Sequence, residues 1–248
     1  MVKKRRKIER RSKWKVFSFR RHRLKVLWDD AIILGFFKNL HGRFWGLAGM
    51  GILVIGVGIC FLIRPDLISG STALSNFGSD VRTAPYFAGA MFFSAYGLWR
   101  WRGYLSRTLK HTRPILFLMM LTILGLFIVA LWPVSYKNWP YYVHIFGMSL
   151  IGISAGMTVI FDILLSKTRK NQNTYRTRLI KMLAFFLILI GGCVTVASTR
   201  LLKWLDISFF GETMLIAGYT IWIIIKTYQG EEPRSALSRL LRRIVLVD

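Results

Sequence analysis

The sequence predicts an all-α protein that crosses a membrane six times, and three observations support this prediction. Of the 248 residues, 54% are hydrophobic and the mean hydropathy is +0.43, which is too apolar for an ordinary soluble domain. The apolar residues form runs of about 20, the length of helix that crosses a hydrocarbon core of about 30 Å. Lysine and arginine are abundant in every second connection between these runs and scarce in the others.

The first three predicted spans occupy the first half of the chain, at residues 44–63, 84–99 and 115–135. The first begins where a long basic region ends. The second is short, and we expect it to extend outward through Val81 to Thr83, while Trp99 and Trp101 mark the interface at its other end. The third is the most continuous apolar run of the chain.

The last three predicted spans lie at residues 141–165, 179–198 and 205–225. A short turn rich in aromatic residues separates the third span from the fourth, as expected for a membrane interface. Trp204 marks the entry to the sixth span in the same way.

The loops predict the orientation of the bundle. Of 36 Lys and Arg residues, 31 lie in residues 1–43, 100–114, 166–181 and 226–248. The alternate connections contain only the other five: Arg64, Arg82, Lys137, Arg200 and Lys203. Because basic loops stay in the cytoplasm, the sequence predicts six spans, both termini inside, and location in the cell's inner membrane.

The two ends of the chain differ from the predicted bundle at residues 44–228. Residues 1–43 combine a basic arm with an amphipathic segment, 27–42, whose apolar residues recur at helical spacing and which is too polar to span. Residues 229–248 predict a second amphipathic helix that begins at Pro233. We expect both helices to lie on the cytoplasmic surface.

The basic ends are candidate contacts for anionic lipids, because each juxtamembrane Lys or Arg contributes about 1 kcal/mol against an anionic leaflet. The residues concerned are Lys3, Lys4, Arg5, Arg6, Lys7, Arg10, Arg11, Lys13, Lys15, Arg20, Arg21, Arg23, Lys25, Arg239, Arg242 and Arg243. A simple topology signal and an acidic protein partner or partner subunit are the alternatives. Nucleic acid is disfavoured, since no nucleic-acid-binding fold accompanies the arm.

Ionisable residues inside spans are candidate functional residues, because burying them in lipid costs several kcal/mol. Glu212 and His144 fall in the outer half of the bundle, below the polar loop that contains Asn76 and Asp80. These four residues form a candidate outer polar site for a cation, a lipid headgroup or a proton relay. Asp162 lies near the inner end of the fourth span, where pairing at the interface, close to Lys167, is the simpler interpretation.

Catalytic and metal-binding signatures are missing from the sequence. It has no GxSxG or HExxH motif, and its two cysteines, Cys60 and Cys193, lie in separate apolar runs. We therefore expect no metal and no cofactor. Two small-residue patterns, Gly152-xxx-Gly156 and Gly191-Gly192, predict close approach between helices.

Several segments resemble a known family. They are STALSNFGSD, APYFAGAMFFSAYGL and GLFIVALWPVSYKNWPYYVHIFGMSLIGISAG, and the matching residues within them are Ser75, Gly78, Pro133 and His144. They are similar to the six-helix bacterial membrane family known as domain of unknown function 998, which has the layout of the DRAM-type grouping. The resemblance covers about residues 45–228 and implies a six-helix bundle; relatives in the grouping are associated with lipid handling and membrane trafficking.

Two functional hypotheses follow from the sequence. The first is a non-catalytic membrane protein that engages anionic lipids or a partner through its basic cytoplasmic ends. The second is a lipid-active enzyme or small carrier with an outward-facing polar site between spans four and six.

Overall fold

The computed structural model describes residues 40–67, 73–108, 113–133, 139–165, 175–198 and 207–228. The chain divides into two units, residues 1–41 and 42–248, and all the helices given below belong to the second. The predictions for the basic arm, for most of the amphipathic segment 27–42 and for the C-terminal helix lie outside the described residues.

The described part of the chain is all-α, which confirms the predicted secondary-structure class. Its six long helices are α1 (Trp45–Ile63), α2 (Ala84–Thr108), α3 (Arg113–Leu131), α4 (Trp139–Leu165), α5 (Tyr175–Ala197) and α6 (Ser208–Tyr228). Three short 3-10 segments accompany them, at Gly42–Phe44, Pro65–Leu67 and Leu74–Gly78. The third lies in the connection that the sequence predicts to be outside and is named here the outer cap segment for that reason; it contributes to the site described below.

Five helices within the described residues, all but α2, are long and apolar enough to cross a membrane. Helix α2 has 25 residues, but arginines 100, 102 and 107 near its end lower its hydropathy. The expected outward extension through Val81 to Thr83 is not helical, since these residues form a turn. The helix begins at Ala84 and continues well past the predicted end at residue 99. Large apolar side chains point outward on the apolar helices, for example Ile55, Phe117 and Ile153, each more than 60% exposed. Such surfaces suit lipid rather than water, and the architecture is that of a multi-pass integral membrane protein.

Contacts between helix ends show which ends lie together. Arg102 Nε of α2 donates to the Leu116 carbonyl of α3 at 2.9 Å, and Trp101 of α2 packs against Trp222 of α6. The start of α1 lies at the same end, because a Cβ on Gly46 would meet Trp101 at 2.7 Å. The start of α5 and the end of α4 join them through the charged cluster described below.

We call this end of the bundle the basic end, because nine of the eleven Lys and Arg residues in the described part of the chain lie there. They are Arg43, Arg100, Arg102, Arg107, Arg113, Arg176, Arg178, Lys181 and Lys226. The other two, Arg64 and Arg82, lie at the opposite end. The alternating direction of the helices thus brings to one end of the bundle basic residues that are far apart in the sequence.

Glycines allow two of the helix pairs to approach closely. Gly49 of α1 faces Gly97 of α2, where an added Cβ on Gly97 would lie 2.8 Å from the Gly49 Cα. Gly191 of α5 faces Gly211 of α6, with an added Cβ on Gly191 only 2.6 Å from the Gly211 carbonyl oxygen. Gly192, the other member of the predicted pair, meets nothing within 4 Å.

Candidate functional site

The outer cap segment packs over the opposite end of the bundle. Phe77 is 2% exposed and its ring makes an edge contact with Phe61 of α1 at 5.0 Å between centroids. The Thr83 hydroxyl, at the start of α2, donates to the Phe77 carbonyl at 2.7 Å. The polar stretch between α1 and α2 therefore includes a packed segment, which holds Leu74 and Ser75 against the interior.

Ser75 is the partner of Glu212, in the second turn of α6. Its backbone amide lies 3.3 Å from Glu212 Oε2 and its hydroxyl lies 3.5 Å from Oε1. Both distances are long for hydrogen bonds to a carboxylate, which are normally below 3 Å. The Glu212 side chain is only 5% exposed. The Leu74 backbone also interacts with this carboxylate, so a buried acid lies beneath the cap segment with long contacts to Ser75 and a further contact to Leu74.

Glu212 and Ser75 lie on the wall of a cavity in the bundle interior. The cavity measures about 50 Å³ and is lined by residues from α1, α2, α3, α4 and α6. Its walls are mainly apolar, from Leu53 and Val57 on one side to Leu126 and Ile151 on another. The polar groups on its surface belong to few residues: Ser75, Ser94, Thr122, Glu212 and Tyr219.

Asp80, a second member of the predicted outer site, belongs to a separate ionic group. It pairs with Arg64, which follows α1 and also binds Asp66 with 2.7 Å between Nη2 and Oδ2. The other Asp80 oxygen accepts from the Arg82 amide at 2.9 Å. The hydrogen bond from Arg64 lowers the pKa of Asp66 below its ordinary value. These contacts tie the end of α1 to the turn that precedes α2.

His144 and Asn76, the remaining members, have local backbone partners. His144 Nδ1 lies 2.7 Å from the Trp132 carbonyl, so the imidazole joins the start of α4 to the end of α3. The side chain is 1% exposed, and its Nε2 finds no hydrogen-bond partner among the described residues. The Asn76 carbonyl accepts from the Ser79 amide and hydroxyl.

The four predicted outer residues thus lie at one end of the bundle with different partners. Asp80 interacts with Arg64, His144 with Trp132, and Glu212 with Ser75. Only Glu212 lines the cavity. Ser75 was not predicted from the sequence as a contact of Glu212, although Ser75 lies one residue before Asn76.

Asp162 forms a buried charged cluster at the basic end. Lys226 Nζ of α6 lies 2.5 Å from its Oδ1, and Lys181 Nζ of α5 lies 2.9 Å from its Oδ2. Trp222 Nε1 donates to Oδ2 at 3.1 Å. The Lys181 contact is an ion pair without hydrogen-bond geometry. One carboxylate therefore faces two buried ammonium groups, and the three helices α4, α5 and α6 meet at this point.

The sequence did not identify three members of this cluster: Lys181, Lys226 and Trp222. The partner predicted for Asp162 was Lys167, which lies outside the described residues. A signal for Lys181 was present, since this lysine falls inside the predicted fifth span, where an unpaired cation would be costly. The partner of such a lysine should be an acid at the same depth, and Asp162 meets that condition.

Metal and disulfide chemistry find no support in the described part of the chain. No group of three His, Cys, Asp or Glu side chains there is placed to hold a metal ion. Cys60 is buried, Cys193 is exposed, and both are free thiols.

Comparison with known protein families, curated proteins and solved structures finds no match to this chain. The residues that support the resemblance to the six-helix bacterial family lie at the end of the bundle opposite the basic end. Gly78 packs there against Phe87 and Pro133, with 3.6 Å between an added Cβ and Pro133 Cβ.

Proposed function

We propose that this protein is a six-span membrane protein with both termini in the cytoplasm and no catalytic role. It engages anionic lipids of the inner membrane through the basic segments at the two termini of the chain. The observation that carries the proposal is the basic end, where nine of the eleven described Lys and Arg residues lie. The described chain enters α1 and leaves α6 at that same end. Membership of the six-helix bacterial family is part of the same proposal.

In this proposal helix α2 also crosses the membrane, which brings the number of spans to six. Helices α1 and α3 are both apolar enough to cross a membrane, and both begin at the basic end. A chain that crosses twice in the same direction must return between the two crossings, and α2 is the segment between them. Its three terminal arginines then lie at the cytoplasmic interface, where long basic side chains can reach the headgroups.

Orientation can be tested with two matched serine replacements. Ser79 and Ser106 are both exposed and lie at opposite ends of the bundle. In a Cys193→Ala background, we expect a membrane-impermeant maleimide to label Ser79→Cys on intact cells and Ser106→Cys only after permeabilisation. Cys60 is buried and should stay unlabelled. The reverse pattern, or labelling of both sites on intact cells, would contradict the proposed orientation.

Lipid engagement can be tested on the full chain held in phosphatidylcholine nanodiscs. We expect it to capture vesicles that contain phosphatidylglycerol and not vesicles of phosphatidylcholine alone. Deleting residues 1–25 should remove most of the capture. Raising ionic strength from about 0.1 M to about 1 M should also remove it, because the Debye length falls from about 10 Å to about 3 Å.

Replacing Arg64 by glutamine is the matched control, because this arginine lies at the opposite end of the bundle. Capture should be unchanged in that variant. Capture that survives both the deletion and high salt would overturn the proposal. Capture of both vesicle types alike would also overturn it, since a charge-driven contact must discriminate between them.

The second candidate function is a small carrier or lipid-active enzyme with an outward-facing polar site. The specific observation in its favour is Glu212, a buried acid on the wall of an interior cavity and below the outer cap segment. The described lining residues include no histidine, cysteine or lysine, and the Ser75 hydroxyl lies 3.5 Å from the acid, too far for efficient activation. Binding or passage of a ligand is therefore the better supported form.

A further inference from the structure

The interior cavity is large enough for a small ligand. A single water molecule needs about 10–15 Å³ by the measure that gives this cavity about 50 Å³, so the space accepts the equivalent of about four waters. An alkyl chain of about three carbons with a terminal amine has this size, whereas a six-membered ring needs a cavity of about 150 Å³. Because five of the six helices contribute to the wall, a ligand here would contact most of the bundle.

The electrostatic character of the cavity comes from one side chain. Among the described residues that line it, Glu212 alone carries a full charge when ionised, and the described part of the chain gives it no ion-pair partner. Its two contacts with Ser75 are long, at 3.3 and 3.5 Å. A buried carboxylate in an apolar cavity strongly favours a cationic partner that can donate shorter hydrogen bonds.

The other walls suit an organic cation better than a hydrated metal ion. Methionines 50, 91 and 148 line the cavity, and the thioether is a soft group that adapts to ligands of different shape. The rings of Phe87 and Tyr219 also line it and can face a cation. A metal ion would require several oxygen ligands, whereas the surface offers one carboxylate and a few hydroxyl groups.

From the cavity, its lone carboxylate and its methionine and aromatic walls, we infer that the protein binds a small organic monocation, a protonated primary amine with a chain of about three carbons. The ammonium group binds Glu212 and the Ser75 hydroxyl, and the hydrocarbon part lies among the methionines. This inference deepens the second candidate function by naming its ligand class. It does not depend on lipid engagement by the basic ends.

The test uses the full chain purified in a neutral maltoside detergent, with propylammonium chloride as the probe and 1-propanol as its neutral analogue. We expect saturable binding of propylammonium by titration calorimetry. Glu212→Gln keeps the size and shape of the side chain and should weaken propylammonium binding by about ten- to a hundredfold, the range of one charge-assisted hydrogen bond. Propanol should bind both proteins alike.

Asp66→Asn is the matched control, since it makes the same change to an exposed carboxylate outside the cavity. It should leave the affinity for propylammonium unchanged. Equal affinity of wild type and Glu212→Gln, or the absence of saturable binding to wild type, overturns the inference. Vesicle capture by Glu212→Gln should match that of wild type, so failure of this inference and failure of the lipid proposal are distinguishable.

A chain-length series on the wild-type protein tests the cavity even if Glu212→Gln does not fold. Affinity should rise from methylammonium to propylammonium and fall again for hexylammonium, because the longer chain exceeds the cavity. Affinity that rises steadily with chain length is the behaviour of partition into detergent, and it would overturn the assignment to this cavity.

Discussion

Replacing Asp162 by asparagine is expected to destabilise the bundle by about 3–5 kcal/mol, the cost of leaving buried charges without their partner. The carboxylate lies 2.5 Å from Lys226 Nζ and 2.9 Å from Lys181 Nζ, and it is 2% exposed. Without it, two ammonium groups face each other at the junction of α4, α5 and α6. Unfolding of the purified protein in mixed micelles of increasing denaturing detergent measures the loss.

Replacing Lys181 tests whether charge causes the predicted loss of stability. Lys181→Met should be tolerated far better than Asp162→Asn, because it leaves one balanced pair, Asp162 with Lys226, and removes the excess positive charge. In Asp162→Asn, adding Lys181→Met should recover part of the lost stability, and the double-mutant cycle gives the coupling. Because methionine keeps an unbranched apolar stem, a Lys181→Met variant as damaging as Asp162→Asn would show that the Lys181 ammonium group is itself required, and the expected relief of excess positive charge would be wrong.

Asp66→Asn serves as the surface comparison. Asp66 also pairs with a basic residue, Arg64, but its side chain is 60% exposed. Water screens such a pair, so we expect its loss to change stability very little. A large effect at Asp66 would show that the mixed-micelle assay does not separate buried from exposed charges.

The helices could be predicted from the sequence because each apolar run identifies its own helix. A run of about 20 apolar residues needs no information from elsewhere in the chain to be recognised as a helix that can span a membrane. The limits of this reasoning appear in α2, whose last turns contain Arg100, Arg102 and Arg107. Those residues lower the hydropathy of the helix without ending it, since arginine is a good helix former.

The site could be predicted only in part, because it depends on pairs that are distant in sequence. Glu212 and Asp162 were recognisable alone, as acids within apolar runs. Their partners were not: Ser75 precedes Glu212 by 137 residues, and Lys226 follows Asp162 by 64. Only the relative rotation and depth of the helices bring such residues together, and a single sequence does not specify either.

Gly191 and Gly192 illustrate the same limit and provide the second prediction. Both belong to the small-residue pattern of α5, yet helical geometry turns adjacent residues about 100° apart. An added Cβ on Gly191 would lie 2.6 Å from the Gly211 carbonyl oxygen and 2.7 Å from the Leu215 amide nitrogen of α6. At Gly192 an added Cβ meets nothing within 4 Å. One glycine is therefore required by packing and its neighbour is not.

Gly191→Ala is expected to cost about 1–3 kcal/mol, the usual range for forcing an extra methyl group into a packed interface. Both clashing atoms belong to the backbone of α6, so no side chain can rotate away and the two helices must separate. Gly192→Ala should be neutral or slightly stabilising, because alanine is the better helix former and the position is open. Unfolding in mixed micelles compares the two variants directly. Equal effects of the two alanines would mean that α5 meets α6 through a different face, and the contact of Gly191 with Gly211 would be wrong.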